Sequence, residues 1–145
     1  MVDVVTEIEI RRPRAEVAAF AADPDNARAW YENIRTAEWR TDPPLAVGSR
    51  VAFSARFLRR TLEYVYEIRE LVPGERLVQS TDDGPFTMET TYTWEDAPGG
   101  ATRMTLRNRG EPAGFSKAGA PLVRRAMRRA NRRDLERLKA ILEAL

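Results

Sequence analysis

Val4, Thr6, Ile8 and Ile10 alternate with Val5, Glu7, Glu9 and Arg11 at the start of the chain, the period-2 pattern of a strand buried on one face. Arg12-Pro13 ends that strand. Pro13 suits the first turn of a helix, where its missing N–H costs little, and Val17 and Phe20 give the helix an apolar side. Asp23-Pro24 breaks it and starts a second helix, with Asp23 as N-cap and Pro24 at the first helical position, running through Trp30 to about Asn33. From Arg35 onward the pattern is strands and turns. Val51, Phe53, Ala55 and Phe57 share one face, then Leu62, Tyr64, Tyr66 and Ile68, against exposed Glu63, Glu67 and Arg69. Turn chemistry at 42–44 with Gly48, at 73–74, at 82–85 and at 98–100 separates further strands over 77–81, 86–94 and 102–108.

Residues 121–145 read as one amphipathic helix, about 37 Å long at 1.5 Å per residue. On a helical wheel Val123, Met127, Leu135, Leu138, Ile141, Leu142 and Leu145 form one stripe, with Arg125, Arg129, Arg132, Arg133, Glu136 and Glu143 opposite. Asn131 and Asp134 fall inside the apolar stripe. The order is a strand, two short helices, about six strands and a long helix, and it gives an α+β fold. The expected architecture is a seven-stranded antiparallel sheet curved around the C-terminal helix. No repeat or linker divides the chain, so residues 1–145 are expected to form one domain.

Several short motifs carry a resemblance. They are Pro13, Val17 and Phe20; Asp23-Pro24 with Trp30; Pro44 with Gly48; Leu71-Val72-Pro73; Phe86; Thr102; Gly114; and Leu135, Leu138-Lys139 and Leu142-Glu143. In this order the chain resembles the polyketide cyclase/dehydrase branch of the START-like (SRPBCC, Bet v 1-like) superfamily over essentially its whole length. The resemblance implies the helix-grip fold, with a hydrophobic ligand cavity between sheet and helix. It also implies a ligand that is a lipid, polyketide or aromatic molecule. Cyclases and aromatases of the family use cavity Tyr, Arg and carboxylates, yet no defined catalytic set of theirs maps onto these positions.

Composition narrows the chemistry. The chain has neither Cys nor His, which removes thiolate metal sites, thiol nucleophiles, the commonest general base and the commonest transition-metal ligand. No cofactor or metal is implied. Dinucleotide, P-loop and nucleophile-elbow motifs do not occur. Glu95-Asp96 and Asp82-Asp83-Gly84 fall at hairpin turns and read as solvated. Net charge is only +2, too small for whole-protein attraction to polyanions. From residue 117 onward, however, nine basic residues face three acidic ones. Because the apolar face of that helix is needed by the sheet, its basic face is expected to be solvated and paired with acidic strands. Neither a nucleic-acid partner nor stable membrane association is then expected. The N-terminus lacks a secretory signal pattern and no apolar run approaches the roughly 20 residues needed to span a bilayer, which points to a cytoplasmic monomer or homodimer.

The candidate site lies on inward phases. Tyr64, Tyr66 and Tyr92, with Thr90 and Asn108, offer rings with polar tips, which suit an apolar ligand oriented by a few hydrogen bonds; the alternative is plain sheet core with hydroxyls at the rim. Phe53, Phe57, Phe86, Met88 and Met104 would line either a cavity or a filled interior. Trp30 is expected to plug the sheet, and Trp39 to pack against core or surface, or to gate the cavity mouth. Asn131 and Asp134 each need a partner, since burying an unpaired amide costs about 1–3 kcal/mol; they meet either sheet and loop backbone or a hydrated cavity. Three functions follow: binding of an apolar small molecule; a cyclase, aromatase or dehydratase with Tyr and Asp134 handling protons; or a protein-interaction module with its cavity collapsed. A pocket below roughly 300 Å³ filled by Phe and Met would weigh against the first two.

Overall fold

The computed structural model describes residues 1–81, 87–111 and 119–145. Phe86, the turn at 82–85, Gly114 and Lys117 lie outside the described residues. The strands are β1 (Val2–Ile10), β2 (Ile34–Trp39), β3 (Arg50–Phe57), β4 (Arg60–Val72), β5 (Arg76–Thr81), β6 (Thr87–Ala97) and β7 (Ala101–Glu111). The helices are α1 (Arg14–Ala22), α2 (Ala27–Trp30) and α3 (Ala120–Glu143), with a 3-10 turn at Pro24–Asn26 between the first two. The seven strands form one antiparallel sheet in the order β1-β7-β6-β5-β4-β3-β2. Strands β2 to β7 run as the expected meander, and β1 closes against β7. Register shifts between Ile34 and Thr36 and between Ile68 and Glu70 add the local bending that such irregularities bring.

The two short helices differ in detail from expectation. Pro13 stands just before α1, extended at ψ 146°, and its carbonyl accepts from the N–H groups of Glu16 and Val17. Asp23 caps the following turn by accepting from the Asp25 N–H at 2.9 Å, with Pro24 leading the turn. Helix α2 then stops at Trp30, short of Asn33. Tyr31 turns extended at ψ 115°, and the next N–H, of Glu32, donates to the Asp134 carboxylate at 3.1 Å instead of continuing the helix. A tertiary contact sets that boundary.

Helix α3 lies along β1 and against α2. Its C-terminal half inserts Leu135, Leu138 and Leu142 into the main core with Ile10, Val17, Ile68, Trp94, Met104 and Leu106. Its N-terminal half places Val123 against Val2 and Val4. The far end is pinned at the corner after β1: the Arg11 N–H donates to Glu143 at 2.9 Å, and the Lys139 Nζ donates to both the Glu9 carbonyl and Glu143 at 2.7 Å. Between its two apolar halves the inward stripe is polar, at Asn131 and Asp134, and there the helix stands off from β3 to β6. Leu145, placed on the stripe by the wheel, is exposed beyond the end of α3.

The arginines of α3 correct one expectation. Among the described residues Arg124, Arg125, Arg128, Arg129 and Arg132 form no ion pair; Arg133 approaches Glu32 at 4.0 Å, and Arg137 acts on Asp134 without forming an ion pair with it. The acidic strand residues serve the sheet's own arginines on its outer face: Asp3 with Arg107 at 2.7 Å, Glu67 with Arg50 and Arg69, Glu70 with Arg76. They lie across the sheet from the helix, out of its reach.

Gly110 shows how tightly β6 and β7 approach. A Cβ built there would overlap the Thr87 carbonyl oxygen and stand 2.9 Å from the Met88 Cα, so backbone, not a side chain, would have to move. Gly110→Ala is expected to cost about 3 kcal/mol, the upper end of ordinary overpacking, read as a lowered urea midpoint.

Candidate functional site

The gap between sheet and helix is a cavity of about 150 Å³. Period-2 alternation puts Phe53, Ala55 and Phe57 of β3, Leu62, Tyr64 and Tyr66 of β4, Leu77 and Gln79 of β5, Met88, Thr90 and Tyr92 of β6, and Asn108 of β7 on its sheet side. Helical spacing puts Met127, Ala130, Asn131 and Asp134 opposite them, while Trp30, Tyr31 and Asn33 close one side. All ten candidates drawn from the sequence, Tyr64, Tyr66, Thr90, Tyr92, Asn108, Phe53, Phe57, Met88, Asn131 and Asp134, border this one space. Met104 does not; it is fully buried in the main core. Trp39 does not gate the mouth: it packs on the second cluster, its Nε1 donates to Asp25 at 2.9 Å, and it lines a separate groove with Pro43, Pro44 and Trp94.

The polar groups form an ordered set. Gln79, Thr90 and Asn108 are cross-strand neighbours in one row of the sheet. The Thr90 hydroxyl donates to Asn108 Oδ1 at 2.6 Å, so the Tyr66 hydroxyl, 2.8 Å from Thr90, is the donor in that contact. The hydrogen of Tyr66 is thereby committed and its lone pairs remain open. One row along, the hydroxyls of Tyr92 and Tyr31 bond each other at 2.5 Å, leaving one hydrogen of the pair free. Burial pushes the phenols of Tyr31, Tyr64 and Tyr92 well up and that of Tyr66 to about 12. All four are therefore neutral hydrogen-bonding groups near neutral pH, not bases.

Asn131 and Asp134 are one turn apart on the inward face of α3, as i,i+3 spacing requires. Asn131 is 4% exposed and its Nδ2 is buried with no hydrogen-bond partner. Asp134 is 3% exposed. Burial lifts its carboxyl to about 6, against the lowering effect of the Glu32 N–H bond. Asp134 thus pairs with loop backbone and also borders the cavity, while Asn131 borders it unpaired.

Among the polar lining residues, Gln79, Tyr31 and Asn33 were not singled out from the sequence. Gln79 shares the inward phase of Leu77 and Thr81, so alternation alone would have found it. Tyr31 follows a helix end fixed by Asp134, and no periodic signal marks it.

An antiparallel sheet gripping one long helix over an aromatic-lined cavity is a START-like fold. The chain belongs to the family described as polyketide cyclase / dehydrase and lipid transport, which it matches over residues 1–143. Its fold is similar to that of TTHA0849 from Thermus thermophilus (TM-score 0.82, 20% identity, covering 98% of this chain and 97% of that one). A START superfamily protein from Mycobacterium smegmatis is as similar in shape (TM-score 0.82, 10% identity, 98% and 97% covered). The Zhui aromatase/cyclase from a Streptomyces species follows (TM-score 0.79, 12% identity, 97% and 93% covered). At these identities the likeness is one of fold. No curated protein matches the sequence. Among the described residues no helix is long and apolar enough to cross a membrane.

Proposed function

We propose that the protein binds a hydrophobic small molecule between the sheet and α3, oriented by Tyr66, the Tyr31–Tyr92 pair, Asn131 and Asp134. The observation that carries this reading is the unpaired Asn131 amide inside an aromatic-lined cavity. A site built only for stability would fill that position with an apolar side chain or pair the amide, since leaving it unpaired costs about 1–3 kcal/mol. The volume of about 150 Å³ lies below the roughly 300 Å³ usual for drug-sized ligands, and Phe53 and Met88 do project into the space. That weighs against both ligand-bearing readings, and most directly against a full-sized lipid or extended polyketide. It leaves room for a ring, because a cavity of about 150 Å³ admits a benzene-sized molecule.

A second reading has its own support. A carboxyl held near 6 beside tyrosine hydroxyls suits a general acid or base at neutral pH, so a dehydratase- or cyclase-type reaction would run through Asp134. Native mass spectrometry of the purified protein tests the first reading. A single co-purifying small molecule, lost on denaturation, is the expected result; a bare chain that also fails to take up single-ring aromatics would overturn it. A chain that converts the captured molecule, and an Asp134→Asn variant that binds it without converting it, would favour the second.

A further inference from the structure

The polar groups around the cavity constrain the ligand's charge as well as its place. No Lys or Arg is among the described residues that border it, whereas Asp134 and Asp23 are. Arg133 is half-exposed and directed at Glu32, and Arg137, whose charge acts on the Asp134 carboxyl, does not border the cavity. A carboxylate ligand would have no cation to meet and would stand beside the carboxylate of Asp134, an arrangement that like charges oppose strongly once desolvated. A cation that carries no acceptor fails for a different reason. An ammonium group offers only donors, so it would leave the buried Nδ2 of Asn131 without the acceptor it lacks.

A neutral molecule carrying both kinds of group satisfies the two side chains together. A carbonyl or ether oxygen accepts from Asn131 Nδ2. A hydroxyl donates to the Asp134 oxygen not used by the Glu32 N–H, or to the open lone pairs of Tyr66. The remaining hydrogen of the Tyr31–Tyr92 pair gives a second donor toward the same space. The room available, about 150 Å³, holds one aromatic ring with small substituents.

Building on the ligand-binding reading, we propose that the ligand is a compact, uncharged, single-ring molecule bearing an acceptor and a hydroxyl, of the hydroxyaryl ketone class, with its acceptor on Asn131. The pocket is selective against carboxylates, amines that lack an acceptor and fused three-ring systems.

Four probes separate these terms by titration calorimetry at pH 7.5: 3-hydroxyacetophenone, 4-hydroxybenzoate, phenethylamine and 1-hydroxyanthraquinone. The ketone is expected to bind at least tenfold more tightly than each of the others. Asn131→Leu is expected to weaken ketone binding at least tenfold while raising the melting temperature, because it removes a buried unpaired amide. A merely structural Asn131 would not give that opposed pair of changes. Equal or tighter binding of the benzoate, the amine or the three-ring compound would overturn the ligand class and leave cavity binding standing. Unchanged ketone affinity in Asn131→Leu would overturn the placement of the acceptor. Absence of heat with all four probes, together with a bare chain in native mass spectrometry, would overturn the ligand-binding reading itself.

Discussion

Trp30→Ala is expected to lose about 3–5 kcal/mol of folding stability, the cost typical of truncating a fully buried tryptophan, and to widen what the cavity accepts. Trp30 is fully buried at the end of α2. Its ring lies 4.1 Å from that of Tyr31 and 5.8 Å from that of Tyr92, and it also borders the cavity. Removing it joins core space to ligand space and withdraws the packing that holds the Tyr31 hydroxyl against Tyr92. The indole Nε1 is buried without a partner, so Trp30→Phe retains most of the apolar contact and discards an unpaired donor; it should stay within about 1.5 kcal/mol of the native chain. Urea unfolding with an unchanged m-value checks the stability of both variants. Three-ring compounds should bind Trp30→Ala more tightly than the native chain. A loss below about 1 kcal/mol in Trp30→Ala would mean that the surrounding residues collapse into the space, and the gain in ligand size would then vanish with it.

The fold was legible because its determinants are local. Alternation along β1, β3 and β4 needs only the chain's own period, and the stripe on α3 marks which side faces the sheet. Site residues on those elements were legible for the same reason: once Tyr64, Tyr66, Thr90 and Asn108 take inward phases, a curved sheet brings them together. What was not legible depends on distances between elements. The end of α2 is fixed by a carboxylate far along the chain, on α3, so propensity alone carries the helix too far, and Tyr31 goes unnoticed with it. The arginines of α3 were expected to find acidic partners because the strands hold acids, yet those acids sit on the outer face with Arg107, Arg50 and Arg76. The size of the cavity depends on how Phe53, Met88 and Trp30 pack against each other, and no pattern along the chain encodes it.

Stability is expected to fall as pH rises from about 4 to about 6, against the habit of most proteins in that range. Burial raises the Asp134 carboxyl from its ordinary 3.8 to about 6 in the fold. Between those values the native chain holds a proton that the unfolded chain has lost, so raising the pH favours unfolding. A difference of about two pH units corresponds to roughly 3 kcal/mol, all of it expressed above pH 6. Glu143 works in the opposite direction and in a lower window. Its bonds to Lys139 and to Arg11 hold its carboxyl down at about 2, from 4.5, so its stabilisation is complete above pH 4.5 and is lost as pH falls toward 2. The stability curve should therefore rise to about pH 4.5 and decline beyond it. Asp134→Asn keeps an oxygen for the Glu32 N–H, removes the buried charge and should flatten the upper limb, leaving the variant more stable than the native chain at pH 7 by about 2 kcal/mol. Urea midpoints at half-unit steps from pH 3 to 8 measure both limbs; a native curve flat between 4 and 6 would place Asp134 in contact with water. The same carboxylate ties stability to binding. A ligand hydroxyl that donates to Asp134 favours its charged form, so binding near pH 6 should release a proton, and affinity should rise as pH passes through 6. Titrations in buffers of different ionisation enthalpy would read that proton directly, and in Asp134→Asn it should disappear.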